Sequence, residues 1–177
     1  ELMLADIDSL ERRMTALVTK RRGGDAAAKA ELALMEKLLP QLSDGVPARR
    51  ATGLTEAEWA RLPQLQLLTS KPVLYVCNVD EAEASTGNAH TAAVAAHAEA
   101  EGSAQVTVSA ASESEIVQLE AADKAEFLGE LGLQEAGLAR LIRAGYGLLD
   151  LLTFFTAGPK EARAWTVAAG SSAPEAA

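Results

Sequence analysis

Asn78, Val79 and Glu81 close the stretch Lys71-Pro72-Val73-Leu74-Tyr75-Val76-Cys77-Asn78-Val79-Asp80-Glu81, an apolar run that stops abruptly at hydrogen-bonding side chains. An Asn side chain offers both a donor and an acceptor, whereas a carboxylate only accepts. Together they suit the edge of a planar ligand such as a purine base. Taken alone, Asn-x-x-Glu describes equally well an Asn that orders its loop and a Glu that caps the next turn. The residues before it add weight. An apolar run of this length bounded by polar residues predicts a buried strand of a parallel sheet. Ligands of open α/β sheets bind just beyond the carboxyl ends of such strands.

The elements that would position these residues follow from periodicity. Strand 72–77, a helix over about 89–101 and strand 105–108 make a βαβ unit with parallel strands and a right-handed crossover. A helical acidic stretch from Glu113 to Leu131 and a helix from Gly137 to Leu149 complete this layer. Beyond Asp150 the pattern turns β-rich, with 152–156 and 163–167 separated by Gly158-Pro159 as a hairpin. At the other end, Leu4, Ile7, Leu10, Met14 and Leu17 recur at steps of three and four, as do Leu32, Met35, Leu39 and Leu42. Each set marks one helix face. With Gly23-Gly24 as a break and Asp25 as a cap, residues 1–47 predict an antiparallel helical hairpin seamed as a short coiled coil. An ordinary helical bundle has the same periodicity. Residues 48–70 form a connector with a short helix capped by Thr55 and Glu58.

Bulk properties exclude some classes. Nearly half the residues are apolar, enough for a core, and aromatics are scarce. One cysteine rules out an internal disulfide and fits a reducing, cytoplasmic setting. Cys77, at the end of an apolar strand, is expected to be a buried inert thiol. No apolar stretch approaches the ~18 residues of a membrane span, and no secretory leader is evident. The net charge of −9 argues against a simple grip on nucleic acid. It is unevenly spread: residues 1–50 carry nine Lys/Arg and eight Asp/Glu, whereas 51–177 carry seven and seventeen. Lys20-Arg21-Arg22 and Arg49-Arg50 are thus either solvated surface or contacts for an anionic partner such as ribosomal RNA. His90 and His97 are seven residues apart, the wrong spacing for a shared metal on one helix, so no metal site is expected. Ser112, Glu113 and Glu115 are expected to cap a helix. Trp59 and Trp165 are expected to be packing anchors rather than platforms for stacked bases.

The two strand ends resemble the two base-recognition motifs of the P-loop GTPase superfamily, usually Asn-Lys-x-Asp and Ser-Ala-x. Val79 stands where the Lys would be and Glu81 where the Asp would be, the departure seen in Obg-like ATPases of the YchF type. The resemblance continues through Leu128-Gly129-Glu130-Leu131-Gly132-Leu133, Gly137–Tyr146 and Thr153–Val167. It implies an α/β fold. Residues 48–149 would be the second half of the nucleotide-binding domain, 1–47 a helical hairpin inserted in it, and 150–177 the truncated start of a β-grasp TGS domain. It also implies that Asn78, Val79 and Glu81 contact the base, with Ser109, Ala110 and Ala111 closing its other side. The ligand would be ATP with Mg²⁺, and the partner a ribosome, as the large subunit or the 70S particle, with no membrane or DNA partner.

No Gly-x-x-x-x-Gly-Lys-Ser/Thr occurs in the chain. That loop cradles the phosphates and its hydroxyl holds Mg²⁺, so the chain as given is expected to be inactive and to be a fragment lacking the phosphate-binding half. Adenine preference follows from the acid. A carboxylate aimed at adenine's ring nitrogen sets acceptor against acceptor, a cost of about 1–3 kcal/mol. The longer Glu81 can swing away and leave Asn78 to read the base. The alternative is a nucleotide-independent adaptor for the ribosome or translation factors, built on the hairpin and the TGS module.

Overall fold

The computed structural model describes residues 1–22 and 25–176, except for the side chains of 19–22 and 176. The Gly23-Gly24 break and the side chains of Lys20, Arg21 and Arg22 lie outside the described residues. The chain divides into two compact units, Glu1–Pro72 and Val73–Ala177.

The first unit is built on α1 (Leu2–Arg22) and α2 (Ala26–Ser43), which pack against each other. Asp25 caps α2 by accepting from the N–H groups of Ala27 and Ala28 at 2.9 and 3.1 Å. Leu10, Leu17, Leu32, Met35 and Leu42 are buried as the periodicity requires, with Ile7, Met14 and Leu39 packed beside them. Leu4 is 64 % exposed and stands outside the core. The buried line of α1 instead runs through Asp6, Leu10 and Leu17, at helical steps of four and seven.

The apolar face of α2 is wider than a two-helix seam, because Leu34 and Leu38 are also fully buried. Residues 48–72, expected from sequence to open the nucleotide-binding half, belong to this first unit. Their Ala48, Ala51, Leu62, Leu65 and Leu67 complete the same core cluster. Short α3 (Glu56–Arg61) starts with the capping box expected at Thr55 and Glu58. Two charged contacts tie the connector to the helices. Arg13 donates to the Leu65 carbonyl at 2.7 Å, and Lys37 pairs with Glu58 at 2.8 Å.

The second unit opens with β1 (Leu74–Asn78), α4 (Ala89–Glu101) and β2 (Ala104–Val108), and the two strands pair in parallel with Asn78 opposite Val108. Asn88 and Thr91 cap the start of α4 reciprocally, and Gly102, at φ +67°, ends it in the left-handed conformation that glycine adopts without strain. The acidic stretch forms two helices, α5 (Ala110–Gln118) and α6 (Ala121–Glu130), broken where Leu119 and Glu120 are extended. Helix α7 (Gly137–Leu148) leads into the antiparallel hairpin of β3 (Leu151–Ala157) and β4 (Ala162–Ala168).

β1 is less enclosed than its sequence predicts. Val76 is nearly half exposed and Cys77 half-buried, because a two-stranded sheet touched by α4 and α7 is not covered all round. No helix among the described residues is long and apolar enough to cross a membrane.

Candidate functional site

The parallel pairing of β1 and β2 brings their carboxyl ends side by side, and the ladder runs one residue further, with Val79 N–H donating to the Val108 carbonyl at 2.9 Å. Beyond it, Asn78 Oδ1 accepts from the Ala110 N–H at 2.9 Å. One side chain thus ties the end of the first strand to the first turn of α5. Ser109 caps that helix: it is buried, and its hydroxyl takes the Ser112 N–H at 3.4 Å and lies 3.1 Å from the Ser112 hydroxyl. Ala110 and Ala111 are exposed on the first turn of α5.

Asn78, Val79, Ser109 and Ala110 therefore meet in one place. Asn78 is exposed, so its amide N–H₂ is available to a ligand while its oxygen is already engaged. Glu81 is exposed and opens the 3-10 turn Glu81–Glu83, and its carboxylate makes no hydrogen bond or ion pair among the described residues. Such an edge can donate through Asn78 and accept through a movable carboxylate, which suits a planar heterocycle.

Glu113 acts in trans. Its carboxylate accepts from the N–H groups of Gly137 and Leu138, so it caps α7 rather than its own helix. Arg140 on α7 donates to the Thr107 carbonyl at 3.0 Å. Helix α7 is thereby fastened behind the two strand ends. His97 lies edge-on to Tyr75, 5.7 Å between ring centroids, and 3.7 Å from Glu101, which also accepts from the Tyr75 hydroxyl. Among the described residues no three His, Cys, Asp or Glu side chains gather as a metal site.

Sequence reasoning missed Asp6. It is 2 % exposed, and its carboxylate accepts from Leu68 N–H at 2.7 Å, Thr69 N–H at 2.8 Å and the Thr69 hydroxyl at 2.7 Å. The same hydroxyl oxygen accepts from Ala48 N–H at 3.0 Å. The available signal was a carboxylate in register with Leu10 and Leu17 on an apolar stripe. Arg49 is half-buried and Arg50 exposed, both in the 3-10 turn Ala48–Arg50 that this relay fixes.

Known proteins are similar to this chain in sequence and in fold. The chain is 48 % identical over 177 residues to the protein of Haemophilus influenzae named ribosome-binding ATPase YchF, covering 100 % of this chain and 48 % of that protein. The chain is homologous to the YchF proteins along its whole length. The Bacillus subtilis protein of the same name is 44 % identical, covering 99 % of this chain and 48 % of that relative. A solved structure, described as the Schizosaccharomyces pombe YchF GTPase, matches with a TM-score of 0.84 at 28 % identity, over 99 % of this chain and 48 % of that one. The family model YchF-GTPase_C, described as a protein of unknown function (DUF933), matches residues 151–177, the segment of the β3–β4 hairpin. The chain spans about half the length of the curated YchF relatives it matches.

Proposed function

We propose that this chain is the base-recognition half of a ribosome-associated, YchF-type ATPase. The observation that carries the reading is the Asn78–Ala110 hydrogen bond, which joins the two strand-end motifs into a single edge at the carboxyl side of a parallel pair. Because its oxygen is engaged there, Asn78 meets the base through its amide donor, aimed at a purine ring nitrogen. Val79 lends backbone and an apolar side chain to the ring, Glu81 closes the outer edge, and Ser109, Ala110 and Ala111 form the far wall.

Adenine is favoured over guanine by the chemistry of the edge. The YchF relatives carry both words in their names, ATPase for the curated proteins and GTPase for the solved structure. A short Asp would grip guanine's paired donors, whereas Glu81 on its 3-10 turn has room to withdraw from adenine's acceptor nitrogen. Phosphates and Mg²⁺ would be held by residues outside this chain, which carries no P-loop sequence. In this reading 48–149 is part of the nucleotide-binding domain, 1–47 a coiled-coil insertion and 150–177 the opening of a TGS module. The partner is the ribosome and the setting the cytoplasm, as the relatives' names suggest.

The test joins the chain to the half that its relatives carry in addition and titrates ATP and GTP by calorimetry. ATP should bind more tightly, and Asn78→Ala should weaken it about tenfold, the worth of one hydrogen bond to a well-placed donor. Tighter GTP binding would defeat the base assignment, and so would an Asn78→Ala protein that binds ATP unchanged. Binding to ribosomes with no nucleotide affinity at all would favour the adaptor.

A further inference from the structure

The turn that follows β1 carries two carboxylates in different settings. Glu81 and Glu83 lie in the same 3-10 turn, Glu81–Glu83, which Asp80 opens. Glu81 is exposed. Glu83 is half-buried, and its Oε2 accepts from Asn88 Nδ2 at 2.7 Å. The other end of that amide decides its orientation. Asn88 Oδ1 takes the N–H groups of His90 and Thr91 at 2.9 and 3.0 Å and so caps α4. The N–H₂ group is thereby turned away from the helix, where only an acceptor can satisfy it.

This bond closes a short loop. Within it Glu83 N–H donates to the Asp80 carbonyl at 3.0 Å, Ala84 N–H to the Glu81 carbonyl at 3.1 Å, and Gly87 N–H to the Glu83 carbonyl at 2.7 Å. Gly87 stands at φ +70°, and a Cβ there would fall 2.5 Å from Thr91 Oγ1, so the return toward α4 needs glycine. Ala84 is buried, but Ser85 and Thr86 are exposed, and residues 84–88 border a hollow of about 410 Å³. With little packing behind it, the loop is held by its hydrogen bonds. On the other side of the turn, Val79 N–H is fixed on the Val108 carbonyl at 2.9 Å. Glu81 lies between these two anchors, so its backbone is held while its exposed side chain can rotate.

We propose that Glu83 and Asn88 are positioning residues for base selection: their hydrogen bond holds the 81–83 turn so that the Glu81 carboxylate stays at the outer margin of the base edge. This rests on the base-edge reading proposed above. Guanine presents a ring N–H and an amine to a carboxylate, whereas adenine presents a bare ring nitrogen. A turn released from Asn88 lets Glu81 advance on the base. Guanine then gains an acceptor for its donors, and adenine meets acceptor against acceptor.

The experiment uses the chain joined to the half that its relatives carry in addition, with ATP and GTP titrated by calorimetry. Asn88→Asp keeps the cap of α4, since Asp caps as well as Asn, but sets two carboxylates face to face. It should narrow the ratio of ATP to GTP affinity about fivefold, the worth of one hydrogen bond, chiefly by tightening GTP. Adding Glu83→Gln reverses the polarity of the bond, with Gln donating to Asp, and should restore the native ratio. Adding Glu81→Ala to Asn88→Asp should instead abolish the gain in GTP affinity, because the clamp acts through that carboxylate. In the 177-residue chain, hydrogen exchange at the Gly87 amide should quicken in Asn88→Asp and slow again once Glu83→Gln is added.

An Asn88→Asp protein with an unchanged ratio would overturn the proposal. So would equal weakening of both nucleotides, which is the mark of a merely structural bond, or a ratio that Glu83→Gln fails to restore. The native protein separates the two readings. If it prefers GTP, yet the ratio still shifts and is restored by the swap, the adenine assignment fails and the clamp stands. A preference for ATP with an unmoved ratio does the reverse, and a native protein that binds neither nucleotide defeats both.

Discussion

Replacing Asp6 by Asn tests whether one buried carboxylate organises the first unit. In the native protein Oδ1 takes the Leu68 N–H, and Oδ2 takes the Thr69 N–H and hydroxyl, all between 2.7 and 2.8 Å. Asn keeps the shape and one acceptor but turns an N–H₂ group onto the Thr69 N–H, donor against donor. One hydrogen bond to a charged acceptor is worth about 1.5–3 kcal/mol, and a buried donor left unsatisfied costs about 1–3 kcal/mol. These overlap, and loss of the carboxylate's own desolvation cost offsets part of them. The net expectation is a destabilisation of about 2–3 kcal/mol for Asp6→Asn and about 3–5 kcal/mol for Asp6→Ala, which strands all three donors. Urea unfolding followed by Trp59 fluorescence in the Trp165→Phe background reads this unit directly. A change below about 0.5 kcal/mol for Asp6→Asn, the level of an ordinary surface substitution, would show that the three bonds are replaced by water and refute the reasoning.

Three further outcomes are expected. Gly137→Ala should destabilise the second unit by about 1–3 kcal/mol through overpacking, because its Cβ would fall 2.9 Å from Glu113 Oε1 and 3.0 Å from Val108 Cγ1; Gly147→Ala, with nothing within 4 Å, should be neutral or stabilising by chemical denaturation. The bond from Lys37, then that from the Thr55 backbone, holds the Glu58 carboxyl below the usual glutamate range. That stabilisation is present above the unfolded pKa and lost as pH falls through the folded one. An NMR titration should show a depressed Glu58 midpoint that rises in Lys37→Ala, and an unmoved midpoint would contradict the assignment. In the β3–β4 hairpin, Phe155 is 79 % exposed and Tyr146 approaches Thr166 at 3.3 Å. Hydrogen exchange should be only weakly slowed at 152–156 and 163–167, since a two-stranded hairpin is marginal in water; strong protection in a monomer would show it to be self-sufficient.

Local order was legible from the sequence. Asp25, and Thr55 with Glu58, were identifiable as helix starts because a cap is a bond between residues two or three apart, whereas the cap of α5 is Ser109 and not Ser112. The parallel strands and the hairpin followed from apolar runs and from Gly158-Pro159, signals that also lie within a few residues. The cluster at the strand ends was legible in part: Asn78 and Ser109 close their strands as expected, and the strand ends lie side by side because the strands pair in parallel. Tertiary structure decided what depends on distant partners. Asp6 becomes the organiser of the first unit only because residues 68 and 69 fold back onto it from more than sixty positions away. Glu113 caps a helix that begins 24 residues later, and Asn78 Oδ1 accepts from the Ala110 N–H, 32 positions on. Residues 48–72 pack into the same core cluster as the first two helices, because Leu34 and Leu38 give α2 a second apolar line that the connector helps to bury. The same packing leaves Trp59 outside the core. Composition and periodicity state which side chains seek burial, but the supply of partners from elsewhere in the chain decides which of them find it.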